Sequence, residues 1–150
     1  MKIIHKSRLI AVNKEQLLVV EKLGDIKKLT LPGGVKKRSE SLEKSLVRET
    51  KEEIGLWVDR HQLSHVVSSV QSKDKNIVIK HHFAMKLTTN LFHVREKEKF
   101  KDVYWCFWKD ALPYLDKEDK KAVKKYFKRN FSKKPKPSND ESSIPPSIAM

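Results

Sequence analysis

Short hydrophobic runs separated by polar residues predict strands in the first part of the chain. Residues 2–12 are rich in isoleucine, leucine and valine and predict an opening strand, and residues 16–21 predict a second. The polar residues 13–15 between them indicate a turn, so the two strands should form a hairpin. The Gly-Asp pair at 24–25 breaks the pattern, and a short extended segment at 28–31 follows.

A hydrophobic stripe with a period of four predicts a helix that follows the Leu-Pro-Gly-Gly turn at 31–34 and ends near Ile54. The stripe consists of Leu42, Leu46, Thr50 and Ile54. Ser39 or Ser41 can cap the start of the helix, because a serine hydroxyl accepts a hydrogen bond from a free backbone N–H group. Gly55 suits the left-handed conformation that often ends a helix. The sequence therefore predicts a loop, a helix and a second loop.

Extended segments return after this helix. Residues 56–58 resume an extended conformation, and residues 65–70 are rich in strand-forming side chains. Residues 77–87 predict a longer strand with a central place in the sheet. The polar residues 71–76 indicate a turn between these last two strands.

The rest of the chain predicts a loop, a strand and a second helix. Residues 88–101 are rich in charge and indicate a loop, and residues 103–107 predict the last strand. A short helical turn at 108–112 should end at Pro113, which lacks a backbone N–H group. The helix at 116–131 combines one apolar stripe with a crowded basic surface. The stripe consists of Ala122, Val123, Tyr126 and Phe127. Two helices and a mixed sheet indicate an α/β fold.

The composition fits one globular domain with an unusually basic surface. The chain has 150 residues, of which 38% are hydrophobic and 35% are charged, and its net charge is +14. This charge predicts attraction to polyanions such as nucleotides or nucleic acid. Residues 132–150 are rich in proline and serine and poor in residues that pack, so we expect a disordered basic tail after a domain at 1–131.

Several features predict a cytoplasmic protein without a membrane anchor. No apolar run approaches the length of a membrane span, and the first residues lack the apolar region of a secretion signal. Cys106 is the only cysteine, which forbids an intramolecular disulfide and fits a reducing compartment. The aromatic neighbours of Cys106 favour a buried structural thiol over a nucleophile.

Three carboxylates share one face of the first predicted helix. Glu49, Glu52 and Glu53 are spaced i, i+3 and i+4, which brings their side chains close together. Their repulsion destabilises a bare helix, whereas Mg²⁺ prefers oxygen ligands of this kind together with substrate phosphates. Arg48 precedes Glu52 by four residues and can brace its carboxylate. The plain alternative is a solvated helix with i, i+4 ion pairs.

The spacing of these residues resembles the Nudix box, G-x5-E-x7-R-E-U-x-E-E-x-G-U, in which U is a bulky aliphatic residue. The matching residues are Gly34, Glu40, Arg48, Glu49, Glu52, Glu53, Gly55 and Leu56, and Thr50 departs from the motif at the first U. The resemblance implies a Nudix hydrolase domain at 1–131. The fold that it implies is an α/β/α sandwich with a mixed, curved sheet, the loop–helix–loop of the box and a C-terminal helix.

The resemblance also implies roles for the residues of the box. Mg²⁺ or Mn²⁺ is the implied cofactor, and Glu49 and Glu53 are its expected main ligands. Glu52 is then a further ligand or orients the attacking water, and Arg48 braces Glu52. Glu40 supports the site from a distance or reaches an additional ion.

Other oxygen ligands are expected near the box. A main-chain carbonyl of Gly33 or Gly34 is one candidate metal ligand. Some family members also use a carboxylate on a loop before the last strands, and Glu98 or Glu96 occupies that place in this chain. A plain solvated loop is an equal alternative there, because lysine and arginine residues alternate with both glutamates.

Histidines and aromatic residues are the remaining candidates. The histidines at 61, 65, 81 and 82 match no zinc signature. His81 and His82 are neighbours on a predicted strand and should face opposite sides, so we expect structural or surface roles. Trp57, Phe83, Phe92, Trp105 and Trp108 are candidates for stacking on a base, although most aromatic residues belong to the core, and the sequence does not choose among them.

The resemblance implies hydrolysis of a nucleoside diphosphate linked to another group. We expect the substrate to be a nucleoside triphosphate, either normal or oxidised. Residues 70–73 lack the proline or tyrosine that subgroups acting on ADP-ribose or diadenosine polyphosphates often carry. The second hypothesis is an RNA 5′-end pyrophosphohydrolase that binds nucleic acid through the basic helix at 117–129 and the tail. The third is a noncatalytic nucleotide-binding or sensor module. Many Nudix proteins dimerise, so a homodimer is also expected.

Overall fold

The structure is a computed structural model that describes residues 1–131, and the tail predicted at 132–150 lies outside the described residues. The strands are β1 (Ile3–Asn13), β2 (Gln16–Lys22), β3 (Leu29–Thr30), β4 (Gly33–Val35), β5 (Ser64–Lys73), β6 (Asn76–Lys86) and β7 (Phe100–Phe107). The α-helices are α1 (Leu42–Ile54), α2 (Trp108–Ala111) and α3 (Lys117–Phe131). Short 3-10 turns lie at Arg60–Gln62 and Leu112–Tyr114. No helix within residues 1–131 has the length and hydrophobicity that crossing a membrane requires.

All the strands join one mixed sheet whose main path is β3-β2-β1-β6-β5. β1 runs parallel to β6 from the pair Ile3–Ile77 to the pair Val12–Lys86. The other strand pairs are antiparallel, with β4 beside the first half of β1 and β7 along β2. The predicted central place of β6 is therefore confirmed.

The two faces of the sheet are covered by different helices, because alternate residues of a strand point to opposite sides. On one face, Leu9 of β1 packs in a core with Leu46 of α1. On the other face, Ile10 and Val12 pack in a core with Phe127 of α3. This arrangement confirms the predicted α/β/α sandwich.

The turn predicted at 71–76 is wrong in extent. β5 continues through Lys73, and only Asp74 and Lys75 turn the chain, with φ of 50° and 66°. β5 pairs only with β6 and lies at the edge of the sheet, where most of its side chains are exposed. Polar residues are tolerated at such positions, so polarity there did not indicate a turn.

One further expectation about a boundary is wrong, and one about burial is inexact. Residues 56–58, expected to be extended, belong to no strand of the sheet, and the Leu56 N–H group donates to the Thr50 carbonyl at the end of α1. Pro113 does not end the helical turn but lies inside the 3-10 turn that follows α2, near its start where no N–H donor is needed. Cys106 is half-buried rather than buried, and burial raises the pKa of its thiol.

A buried polar network ties α3 to the sheet. His82 Nε2 lies 2.7 Å from Asp119 Oδ1, and both side chains are almost fully buried. Lys80 Nζ lies 2.8 Å from Asp116 Oδ2 and 3.6 Å from Asp119 Oδ1. His81 points to the other face and contacts His5 instead. The expectation that these two adjacent histidines face opposite sides is confirmed.

This network predicts that Asp119→Ala lowers the free energy of unfolding by about 3 kcal/mol, because it leaves the buried His82 and Lys80 without their shared partner. Urea denaturation monitored by circular dichroism would measure the loss. Asp110→Ala is the matched control, since Asp110 is exposed, and its effect should stay within about 0.5 kcal/mol. Equal losses in the two variants would contradict a structural role for the network.

Candidate functional site

The two glycines of the turn allow it to pass close to β1 and α1. Gly33 has φ of 142°, and a Cβ atom there would collide with the carbonyl oxygen of Ser7. A Cβ atom at Gly34 would collide with the carboxylate of Glu49. The turn is therefore in direct contact with the acidic face of α1, and any larger residue would push the two apart.

The ends of α1 are capped as the sequence predicts. Ser41, rather than Ser39, is the N-cap, and its hydroxyl accepts a hydrogen bond of 3.1 Å from the Lys44 N–H group. Gly55 adopts the left-handed conformation with φ of 65° and donates to Lys51 O at 3.0 Å. These caps fix where the helix starts and stops, and so they fix which side chains face the turn.

Glu53 is the most deeply buried carboxylate of the site. Glu53 is only 7% exposed, and its Oε1 accepts a 2.9 Å hydrogen bond from the Gly33 N–H group. Burial raises the pKa of Glu53 to about 7, although this hydrogen bond acts in the opposite direction. Burial also raises the pKa of Glu49. Burial thus disfavours the charged form of both carboxylates.

Arg48 holds the remaining carboxylates of the motif in place. Its Nε and Nη2 donate to the two oxygens of Glu40 at 3.1 and 2.7 Å, which is a bidentate pair. Its Nη1 donates to Glu52 at 3.3 Å, so it braces Glu52 as predicted. The pair with Arg48 lowers the pKa of Glu40 to about 2. Glu40 therefore orients Arg48 from outside the helix.

The loop between β6 and β7 is attached to the end of α1 by main-chain hydrogen bonds. The N–H groups of His93 and Arg95 donate to the carbonyls of Ile54 and Glu53 at 3.0 and 2.8 Å. These carbonyls have no partner inside the helix, because they belong to its last turn. The loop thus satisfies them and is positioned against the acidic face.

The structure favours Glu96 over Glu98 as the carboxylate outside the motif. Glu96 lines a recess with Glu52 and Arg48, and its charge adds to the raised pKa of both Glu49 and Glu53. Its Oε1 is buried and makes no hydrogen bond within residues 1–131. Glu98 is exposed, and no hydrogen bond or ion pair of the described residues involves it.

The carboxylates of α1 supply oxygen donors, which are the ligands that a hard cation prefers. Within residues 1–131, no three histidine, cysteine, aspartate or glutamate side chains are grouped closely enough to hold a metal ion. Glu49 and Glu52 instead lie 3.6 and 3.3 Å from Arg48. The available donors are oxygens, and burial leaves the charge of Glu53 uncompensated, so the donor set fits Mg²⁺ or Mn²⁺.

Basic side chains face the carboxylates across a recess of about 280 Å³. Glu49 and Glu53 line one side, and the basic residues are Lys6, Arg8, Lys22 and Lys99. The Nε of Arg8 is buried and has no hydrogen-bond partner among the described residues. Sequence reasoning missed these cations, although Lys6 and Arg8 alternate along β1 and so share one face. Acidic and basic groups together suit a metal-bound polyphosphate.

A second recess of about 400 Å³ adjoins the first and shares Lys22 and Thr30 with it. Its wall includes Tyr114, which is 39% exposed, and the Lys27 ammonium lies 4.5 Å from the centre of the Tyr114 ring. Asp116 lines the same recess. This second recess therefore places an accessible aromatic ring beside the first, charged recess.

None of the aromatic residues expected to stack on a base lines either of these two recesses. Phe83 and Trp108 are buried in the cores, and Phe92 packs against Trp105 with ring centroids 6.0 Å apart. Trp57 is exposed in a different groove. Tyr114 was missed, because it follows a proline in a short turn and belongs to no hydrophobic stripe.

Comparisons with known proteins agree with this fold. A family model described as the NUDIX domain matches residues 4–128. The solution structure of the E. coli ORF135 protein is similar, with a TM-score of 0.75 and 21% identity over 89% of this chain and 94% of that one. No match was found among curated protein sequences.

Two further solved structures share the fold. A MutT NUDIX hydrolase from Burkholderia pseudomallei has a TM-score of 0.72 and 15% identity, over 83% of this chain and 98% of that one. An Ap4A hydrolase binary complex from C. elegans has a TM-score of 0.61 and 16% identity, over 82% and 94%. At these identities the likeness is one of fold.

The burial of Glu53 predicts a dependence of stability on pH in metal-free protein. Its pKa rises from 4.5 to about 7 on folding, so stability falls as pH rises between these values. Glu53→Gln removes the buried charge and should stabilise the protein at pH 8 by up to about 3 kcal/mol, but have little effect at pH 4. Denaturation in EDTA at both pH values would measure the difference.

Glu98→Gln is the control for this experiment, because Glu98 is exposed and should give the same small effect at both pH values. Adding Mg²⁺ at pH 8 should stabilise the wild type and not Glu53→Gln, since ligand binding favours the folded state. If Glu53→Gln were less stable than the wild type at pH 8 in EDTA, the result would contradict the claim that the buried charge of Glu53 destabilises the metal-free protein.

Proposed function

The chain belongs to the Nudix hydrolase family, and on that basis we propose that it is a divalent-metal-dependent pyrophosphohydrolase of nucleoside triphosphates. The supporting observation is the pair of adjoining recesses. One combines the carboxylates of α1 with four basic side chains, and the other offers Tyr114. A nucleoside triphosphate has a matching division into a charged phosphate chain and a flat base.

The first recess is suited to the phosphates. Arg8 and the three lysines can contact phosphate oxygens, and the unpartnered Nε of Arg8 is a donor available for this purpose. Glu49 and Glu53 would hold the metal, which supplies charge neutralisation and lowers the pKa of bound water. Positioning of this kind is the main contribution of proteins to phosphoryl-group chemistry.

The remaining carboxylates are suited to positioning the attacking water. Glu52 is half exposed and is oriented by Arg48, which is itself fixed by Glu40. Glu52 can therefore accept a hydrogen bond from the water in a defined direction. Glu96 has a buried oxygen, Oε1, that makes no hydrogen bond within residues 1–131 and lies 3.6 Å from the Lys99 ammonium, and this carboxylate is the second candidate for accepting a proton. Both line a separate recess together with Arg48, Lys51 and Arg95.

The second recess is suited to the nucleoside. Tyr114 presents an accessible ring, and Thr30 and Asp116 offer polar groups to a base or ribose. One similar structure is described as an Ap4A hydrolase, but residues 70–73 lack the residues that we associate with diadenosine substrates. They lie on the edge strand β5, outside both recesses. A substrate with one nucleoside is therefore favoured.

Location and assembly stay predictions. The single cysteine fits a cytoplasmic protein, and a homodimer is expected from the family. The net charge of +14 supports attraction to anionic substrates.

Phosphate release tests the proposed function. With Mg²⁺ and coupled pyrophosphatase, the wild type should hydrolyse nucleoside triphosphates, and Glu53→Gln should lose at least about 100-fold in kcat, because metal ligands contribute several kcal/mol to catalysis. Glu98→Gln should retain full activity, whereas Glu96→Gln should not. Nucleotide-dependent stabilisation without any product, across triphosphates, nucleotide sugars and dinucleoside polyphosphates, would favour a noncatalytic module instead.

The role of Tyr114 predicts a split between substrates. Tyr114→Ala should raise KM for nucleoside triphosphates about tenfold, because base stacking is worth roughly 1–3 kcal/mol. The same variant should leave KM for inorganic tripolyphosphate unchanged, since that substrate has no base. Tyr114→Phe preserves the ring and should behave as the wild type. An equal rise in KM for both substrates would show that the variant disturbs the phosphate site.

A further inference from the structure

A separate groove of about 520 Å³ lies beside α1 and the segment that follows it. Its apolar floor includes Val47, Trp57 and Val58. Trp57 is 72% exposed, which is unusual for the largest aromatic side chain. Neither the fold nor the proposed hydrolysis explains why this ring faces solvent.

The rim of the groove is basic. Lys44, Lys51 and Arg60 line it, and none of them takes part in an ion pair within residues 1–131. The Lys51 ammonium lies 4.2 Å from the centre of the Trp57 ring. Asp59 is the one acidic residue of the lining, and its Oδ1 already accepts from the His61 N–H group. The groove therefore complements an anion that also carries flat apolar surfaces.

Single-stranded nucleic acid has this combination of charges and flat rings. Its phosphates pair with lysine and arginine, and an unpaired base can stack on an exposed aromatic ring. A duplex cannot use Trp57 in this way, because its bases are already stacked. The pairing of one exposed ring with flanking cations is the common arrangement of single-strand binding surfaces.

The groove adjoins a recess that contains two of the carboxylates proposed to position the attacking water. Arg48 and Lys51 line both this groove and a neighbouring recess that contains Glu52, Arg95 and Glu96. A strand whose 5′ phosphates reached Glu52 and Glu96 could therefore continue along α1 toward Trp57. RNA chains begin with a 5′-triphosphate, which contains the bond type that the proposed function cleaves.

We propose that this groove binds single-stranded RNA, with Trp57 stacking on a base and Lys44, Lys51 and Arg60 contacting phosphates. The choice of RNA as the ligand rests on the proposed hydrolysis of phosphoanhydrides. The proposal that the groove binds a single strand does not depend on that function. The basic surface of α3 predicted from the sequence is a different face of the molecule. The surface beside α1 is distinguished from it by the exposed tryptophan.

Binding is measured first, without turnover. Fluorescence anisotropy of a 3′-labelled 12-nucleotide oligouridylate with a 5′-hydroxyl group, in EDTA, reports on the groove alone. Trp57→Ala in the full chain should weaken binding about tenfold. Trp57→Phe should stay within about threefold of the wild type, because its ring still stacks. Lys51→Ala should reduce the slope of log Kd against log salt by about one.

Lys109→Ala is the matched control, since Lys109 also lies over a tryptophan, Trp108, but on α2. It should bind RNA within about twofold of the wild type and respond to salt as the wild type does. A 12-base-pair duplex should bind Trp57→Ala and wild type equally. Equal affinity of Trp57→Ala and wild type for the single strand would overturn the proposal, as would an equal loss for strand and duplex.

Turnover is measured second and tests the direction of the strand. Trp57→Ala should lower kcat/KM about tenfold on triphosphorylated oligouridylate and leave it unchanged on nucleoside triphosphates. Unchanged turnover of the RNA, together with weakened binding, would overturn the proposed path of the strand from Glu52 and Glu96 to Trp57. If the wild type hydrolyses neither substrate, the proposed function fails and the binding result still decides whether the groove binds RNA.

Discussion

The hydrogen bond from the Gly33 N–H group to Glu53 is the interaction on which the rest of the site depends. It joins the glycine turn to α1 inside the protein, where a carboxylate has few other partners. It also requires both glycines, because side chains at 33 or 34 would strike Ser7 or Glu49. β4, which contains these glycines, pairs with β1, and β1 contributes Lys6 and Arg8. One short contact thus sets the distance between acidic and basic groups.

The charges of the site fall into two groups with opposite surroundings. Glu40, Arg48 and Glu52 form an ion-paired cluster at the surface, in which the pKa of Glu40 is lowered. Glu49 and Glu53 lie deeper, and burial raises the pKa of both. Arg48 balances the charge of the first group; in the second group Glu49 also lies 3.6 Å from Arg48, whereas Glu53 makes no ion pair within residues 1–131. A ligand supplies what folding leaves uncompensated, which is how binding sites commonly conflict with stability.

The sequence predicts well what is local and poorly what is assembled from distant segments. The stripe at Leu42, Leu46 and Ile54 and the capping Gly55 predicted α1 correctly, because spacing along one helix determines both its face and its end. The spacing of the motif likewise identified the carboxylates. Arg8 and Tyr114 were missed, because they meet the site only through strand pairing and the packing of a turn. Glu96 and Glu98 could not be separated until the hydrogen bonds of their loop were known.

The parallel pairing of β1 with β6 has a consequence for folding kinetics. It joins residues more than seventy positions apart along its whole length, from Ile3–Ile77 to Val12–Lys86. Contacts of such sequence separation must close a long loop before they contribute stability, which slows folding. During synthesis, one edge of β1 stays unpaired until β6 has left the ribosome. Exposed strand edges favour aggregation. The strand that carries Lys6 and Arg8 therefore also exposes the nascent chain to aggregation until β6 is available.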